Sequence, residues 1–156
     1  MQKYNISDLL PHRAPMQFIT DIESVDFDSQ KLVARVDITT DDLMYDKNIG
    51  GVPSWISLEY MAQAVGCFIG AADRAQDPNS KPMVGFVLGS RKLSVNIPTY
   101  VAGQSYFVHV HGTFCDKNIA NFDCEIYNSE NNLMASGSIN VFRPDDIKQF
   151  MDARNE

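Results

Sequence analysis

The chain has 156 residues, 44% of them hydrophobic and 21% charged, with nine Phe, six Tyr and one Trp. That much apolar material builds a core without staples and excludes a disordered chain. Thirteen basic residues against twenty acidic ones leave a net charge of −7, which argues against nucleic-acid binding and against a polybasic membrane anchor.

One domain over residues 1–156 is the expectation, because no repeat, low-complexity tract or linker interrupts the chain. Met1 to Asp8 has no apolar run of the signal-peptide kind, and the longest apolar stretch, Ala64 to Ala72, is far short of the ~20 residues of a membrane span. Three cysteines with no Cys-x-x-Cys pair read as reduced, buried thiols. A cytoplasmic protein that binds neither nucleic acid nor membrane is expected.

Ser7 can cap a short helical turn, Asp8 to Leu10, that Pro11 stops. Met16 to Val25 reads as a strand, and Asp26-Phe27-Asp28-Ser29 as a turn. Lys31 to Thr39 alternates, with Leu32, Ala34, Val36 and Ile38 on one face. Gly50 to Ser54 is a tight lead-in to a helix from about Trp55 to Arg74. That helix is apolar on nearly every side and so should be buried all round, with Glu59 and Gln63 one turn apart as its conspicuous polar members.

A polar loop, Asp73 to Lys81, comes next, then strands. Met83 to Leu88 and Lys92 to Ile97 read as extended. Tyr106 to Phe114 groups Tyr106, Val108, Val110 and Phe114 on one face, with His109, His111 and Thr113 on the other. Ile119 to Tyr127 gathers Ala120, Phe122, Cys124 and Ile126. Leu133 to Phe142 follows a polar turn, and an amphipathic tail, Asp145 to Arg154, ends the chain. One antiparallel sheet around one long buried helix, an α+β architecture, satisfies both burial patterns.

Two motifs carry a resemblance. The stretch Ile6-Ser7-Asp8-Leu9-Leu10-Pro11-His12-Arg13-Ala14-Pro15 resembles the opening of the FabZ-type 3-hydroxyacyl-[acyl-carrier-protein] dehydratases. Leu58-Glu59-Tyr60-Met61-Ala62-Gln63-Ala64 is similar to the central-helix motif of that family. The Gly50 to Gln63 form of the lead-in looks most like the ApeP-like dehydratases of aryl polyene biosynthesis. The resemblance implies a hotdog fold, elimination of water from a 3-hydroxyacyl thioester on an acyl carrier protein, no cofactor and no metal. It also implies a homodimer, or a heterodimer with a second hotdog protein, whose active site draws on both subunits.

Elimination needs a base for the C2 proton and an acid for the departing C3 hydroxyl. Glu59, one turn into the helix, is the candidate acid; apolar walls around it would raise its pKa. Amides at Ser54 and Trp55 on the helix N-terminus would polarise the thioester carbonyl. Pro53 and Gln63 complete the expected substrate-binding set with them. The family's catalytic histidine lies in a Gly-His-Phe-Pro segment ahead of the helix. Here Asp41 to Ile49 contains no histidine, and Tyr45 stands in its place.

His12 belongs to a motif that, in the resembling family, leads into the first strand; a buried hydrogen-bonding role is expected of it, with catalysis as the alternative. His109 and His111, with Cys115, have a spacing that can bind metal, but no carboxylate completes a set, so no metal is expected. Cys67 and Cys124 read as core, and neither a serine triad nor a phosphate loop is present. Two other functions fit the same fold: a hotdog acyl thioesterase in which Glu59 activates water, and a non-catalytic acyl-binding or scaffold subunit.

Overall fold

The structure, a computed structural model, describes residues 3–82, 85–116 and 118–143. Its elements, in chain order, are α1 (Ile6–Leu9), β1 (Asp21–Asp26), β2 (Lys31–Asp37), β3 (Gly51–Pro53), α2 (Ser57–Gln76), β4 (Phe86–Val95), β5 (Thr99–Val101), β6 (Ser105–Cys115), β7 (Ile119–Asn128) and β8 (Leu133–Phe142). Six strands form an antiparallel sheet in the order β1-β2-β6-β7-β8-β4, and β3 pairs with β5 beside it. The long helix α2 packs against the sheet. This is the hotdog arrangement that the resemblance implies.

Alternation builds the sheet where it was expected. Leu32, Ala34 and Val36 of β2 pair with Val110, Val108 and Tyr106 of β6, and Ala120, Phe122, Cys124 and Ile126 of β7 continue the same buried face. Phe114 does not join them. The register shifts between Gly112 and Phe114, and Phe114 is left 56% exposed. Thr113 is the extra residue, so Phe114 pairs with Asn121 and falls on the outer face, while the Gly112 N–H leaves for the Gln30 carbonyl at 2.8 Å.

The other differences have local causes. Asn5, not Ser7, caps α1: its side chain accepts from the Ser7 N–H at 3.1 Å. β1 starts at Asp21 instead of Met16, because the Gln63 amide takes both the Met16 carbonyl and the Phe18 N–H at 2.8 Å. That segment is tied to the helix rather than to a strand. The two extended stretches expected after the loop are one bulged strand, β4. Met83 and Val84, in the first of those stretches, and the tail Asp145 to Arg154 lie outside the described residues.

α2 runs to Gln76, past Arg74, and is preceded by a 3-10 turn, Ser54–Ile56. It is not buried all round. Leu58, Glu59, Ala62, Gly66, Ile69 and Asp73 form a partly open line along it, and Trp55 is 65% exposed. The opposite face carries Tyr60, Met61, Ala64 and Phe68 into the core. Tyr60, Tyr100 and Tyr106 stack edge to face there, and the Tyr100 hydroxyl hydrogen-bonds Ser57 Oγ at 2.6 Å. Burial pushes the Tyr100 phenol up to about 12. No helix among the described residues is long and apolar enough to cross a membrane.

Cys67 and Cys124 are free thiols in the core, and burial raises both, Cys124 to about 12. Thiolate is the reactive species, so both should escape alkylation in the native protein. Iodoacetamide followed by peptide mass spectrometry is expected to find them unmodified until denaturant is added.

Candidate active site

Two glycines on α2 decide where the N-terminal arm lies. A Cβ on Gly70 would stand 2.5 Å from the Leu9 carbonyl oxygen, and one on Gly66 would stand 2.7 Å from Leu10 Cδ2. With neither present, α1 rests directly on the helix. Pro11 ends the turn, and the Arg13 guanidinium donates to the Leu10 and His12 carbonyls at 2.7 and 2.8 Å, fixing the bend. The next side chain, His12, is thereby set over Glu59.

His12 Nε2 lies 3.7 Å from Glu59 Oε1, with the two side chains 36% and 39% exposed. His12 Nδ1 is buried and takes no hydrogen bond among the described residues, so no neighbour fixes which ring nitrogen carries the proton. The same Glu59 oxygen accepts from Gln63 Nε2 at 2.9 Å. Gln63 is itself buried and held on its other side by Met16 and Phe18. Glu59 is thus oriented from behind by a fixed amide and half open in front.

In front lies a groove of about 300 Å³ between α1, α2, β4 and β8. Leu10, Ala62, Val65, Ile69 and Val87 give it an apolar lining; His12 and Glu59 line it as well, as do Asp73 and Arg143, joined by an ion pair of 2.6 Å. An apolar trough with an imidazole and a carboxyl side by side can hold an acyl chain and move protons at its reacting carbons.

Of the six residues singled out in the sequence, His12 and Glu59 meet in the groove and Gln63 stands behind them. Pro53, Ser54 and Trp55 do not line it. Pro53 pairs with Thr99 in the small sheet, and the Ser54 N–H donates to the Pro98 carbonyl, so it is not an amide turned toward a thioester. Sequence reasoning missed the seat that Gly66 and Gly70 provide and the Asp73–Arg143 pair. The four-residue spacing of the glycines was the available signal for the first.

On the outer face of the sheet, His109 lies opposite Glu125 and His111 opposite Asp123. Burial lowers the His109 pKa, while the Glu125 charge opposes the shift. Among the described residues no group of three or more His, Cys, Asp or Glu is placed to hold a metal ion. The Cys115 side chain lies outside what is described.

Residues 4–152 match the model of the ApeP-like family, described as ApeP dehydratase. Among solved structures, a chain of the dehydratase heterocomplex ApeI:P from Xenorhabdus doucetiae superposes with a TM-score of 0.88 at 22% identity, over 99% of this chain and 100% of that one. A hypothetical thioesterase with coenzyme A from Streptococcus pneumoniae gives a TM-score of 0.58 at 14% identity, over 80% and 84%. The PaaI protein of the E. coli phenylacetic acid degradation operon gives 0.58 at 15%, over 79% and 82%. No curated protein matches the chain significantly.

Proposed function

The chain belongs to the ApeP-like dehydratase family, and on that premise we propose that it is one subunit of a hotdog dehydratase pair that removes water from 3-hydroxyacyl chains carried on an acyl carrier protein. The observation that carries this reading is Glu59, held by Gln63 at the head of an apolar groove. The acyl chain lies in the groove with C3 beside Glu59. A base takes the proton from C2, the electron pair forms the C2–C3 double bond, and the C3–O bond breaks. Glu59 protonates the departing hydroxyl, which leaves as water.

The base is a histidine of the partner. Asp41 to Ile49 offers none. Strand β4 is an edge of the sheet with Val87, Leu93 and Val95 exposed along it, and an unpaired apolar edge favours strand-to-strand joining. The likeness to a chain of a dehydratase heterocomplex supports a second hotdog protein as the companion. Exposed Arg91 and Lys92 on β4 suit an acidic carrier.

One observation supports a second reading, in which His12 is the base: its Nε2 lies 3.7 Å from Glu59 Oε1 within this chain. An assay of enoyl formation from a 3-hydroxyacyl-carrier substrate, run on this chain, on a histidine-bearing hotdog partner and on the mixture, separates the two. Under the first reading this chain alone is slower than the mixture by about 10²–10⁴-fold, and His12→Gln leaves the mixture within a few fold of its rate. Full activity of this chain alone, lost with His12→Gln, establishes the second. Free thiol released without enoyl product would instead mark a thioesterase.

A further inference from the structure

A second cavity, of about 450 Å³, lies farther along α2. Phe27, Phe68 and Phe122 line it, their rings in contact at centroid separations of 6.1 and 5.7 Å. It adjoins the groove at Glu59: Ile69, Asp73, Val141 and Arg143 line both. Two of those four, Asp73 and Arg143, form the 2.6 Å ion pair, so a salt bridge stands between the two cavities.

Distance along the helix gives the junction a scale. Glu59 and Asp73 are fourteen residues apart, about 21 Å at 1.5 Å per residue. Carbon–carbon bonds of about 1.52 Å at near-tetrahedral angles advance an extended chain by about 1.25 Å per bond, so with C3 beside Glu59 about seventeen further bonds, a chain of about twenty carbons, bridge that span. Shorter chains end inside the first groove. Longer ones meet the ion pair.

We propose that the two cavities form a single acyl-chain path with the Arg143–Asp73 pair at its narrows, and that the chamber under Phe27, Phe68 and Phe122 receives the far end of chains too long for the first groove. This rests on the dehydratase reading of Glu59 and extends it to chain length. The pair is about a quarter exposed on each side, so the Arg143 guanidinium can swing toward water without being stranded. A chain end that passes it enters an aromatic surrounding in which each newly covered methylene raises affinity by about fourfold.

The test is calorimetric binding of non-hydrolysable straight-chain acyl-pantetheine analogues to the full chain, from eight to about twenty-four carbons, the longest passing about four carbons beyond the ion pair. Ala72 lines only the far chamber of the two, and Ala72→Trp fills it. Ala75→Trp on its exposed rim does the same with less demand on folding. Affinity is expected to keep rising beyond about twenty carbons, and both substitutions should cut it at least about tenfold for the longest analogues while changing the eight-carbon one by less than about twofold. Affinity that stops rising at the ion pair, or a loss equal at every length, overturns the proposal. Length-dependent binding without enoyl formation in any mixture would leave the chamber standing and remove the dehydratase reading.

Discussion

Replacing Glu59 with Gln is expected to lower enoyl formation in the two-subunit mixture by about 10²–10⁴-fold, the range of one positioned acid–base group. Gln keeps the size of the side chain but has no proton to give a leaving hydroxyl. It can still meet Gln63 Nε2 through its carbonyl oxygen, at the 2.9 Å where Glu59 Oε1 now accepts. Assembly and thermal stability should therefore hold, and the loss should fall on kcat rather than on KM. A rate within twofold of the parent would take Glu59 out of the chemistry.

Gln63→Ala should be the most damaging of the conservative truncations near the site. The side chain is 1% exposed and joins three groups that are distant in sequence: the Met16 carbonyl, the Phe18 N–H and the Glu59 carboxylate. Truncation leaves a buried donor and a backbone acceptor unpaired and opens a cavity. Those costs together amount to about 2–4 kcal/mol. The expected result is a urea midpoint lowered in proportion at unchanged slope. Activity should fall with it, since Glu59 loses the amide behind it and the 16–18 segment loses its anchor. Gln63→Glu, which retains the acceptor toward Phe18 but brings a second carboxylate to Glu59, should recover stability only at low pH.

The parts of the fold legible in the sequence are those in which one local pattern decides the outcome. Leu32, Ala34 and Val36, and later Ala120, Phe122, Cys124 and Ile126, alternate and are buried as alternation requires. The helix, too, was legible from Ser57 onward. What escaped depends on partners far away in the chain. Phe114 turns outward because the extra residue Thr113 shifts its pairing to Asn121, and Met16 stays out of the sheet because Gln63 claims its carbonyl. Trp55 looked like core because it is large and apolar, yet it sits on the 3-10 turn and faces out. The nearness of His12 to Glu59 was the hardest to foresee. The two are 47 residues apart, and the arm carrying His12 can lie this close to α2 because no Cβ stands at Gly70, where one would meet the Leu9 backbone.

The edge strand β4 has a consequence for handling the protein. Its bulges between Val87 and Gly89 and between Arg91 and Ser94, and the left-handed Lys92 at φ 55°, interrupt the ladder that another molecule would need to add a long regular strand. Positive charge at Arg91 and Lys92 repels an identical edge approaching in register. These features discourage the chain from stacking on itself into fibrils. On the proposed pairing, synthesis without the partner leaves Val87, Leu93 and Val95 in water, and co-production is expected to raise solubility ahead of activity.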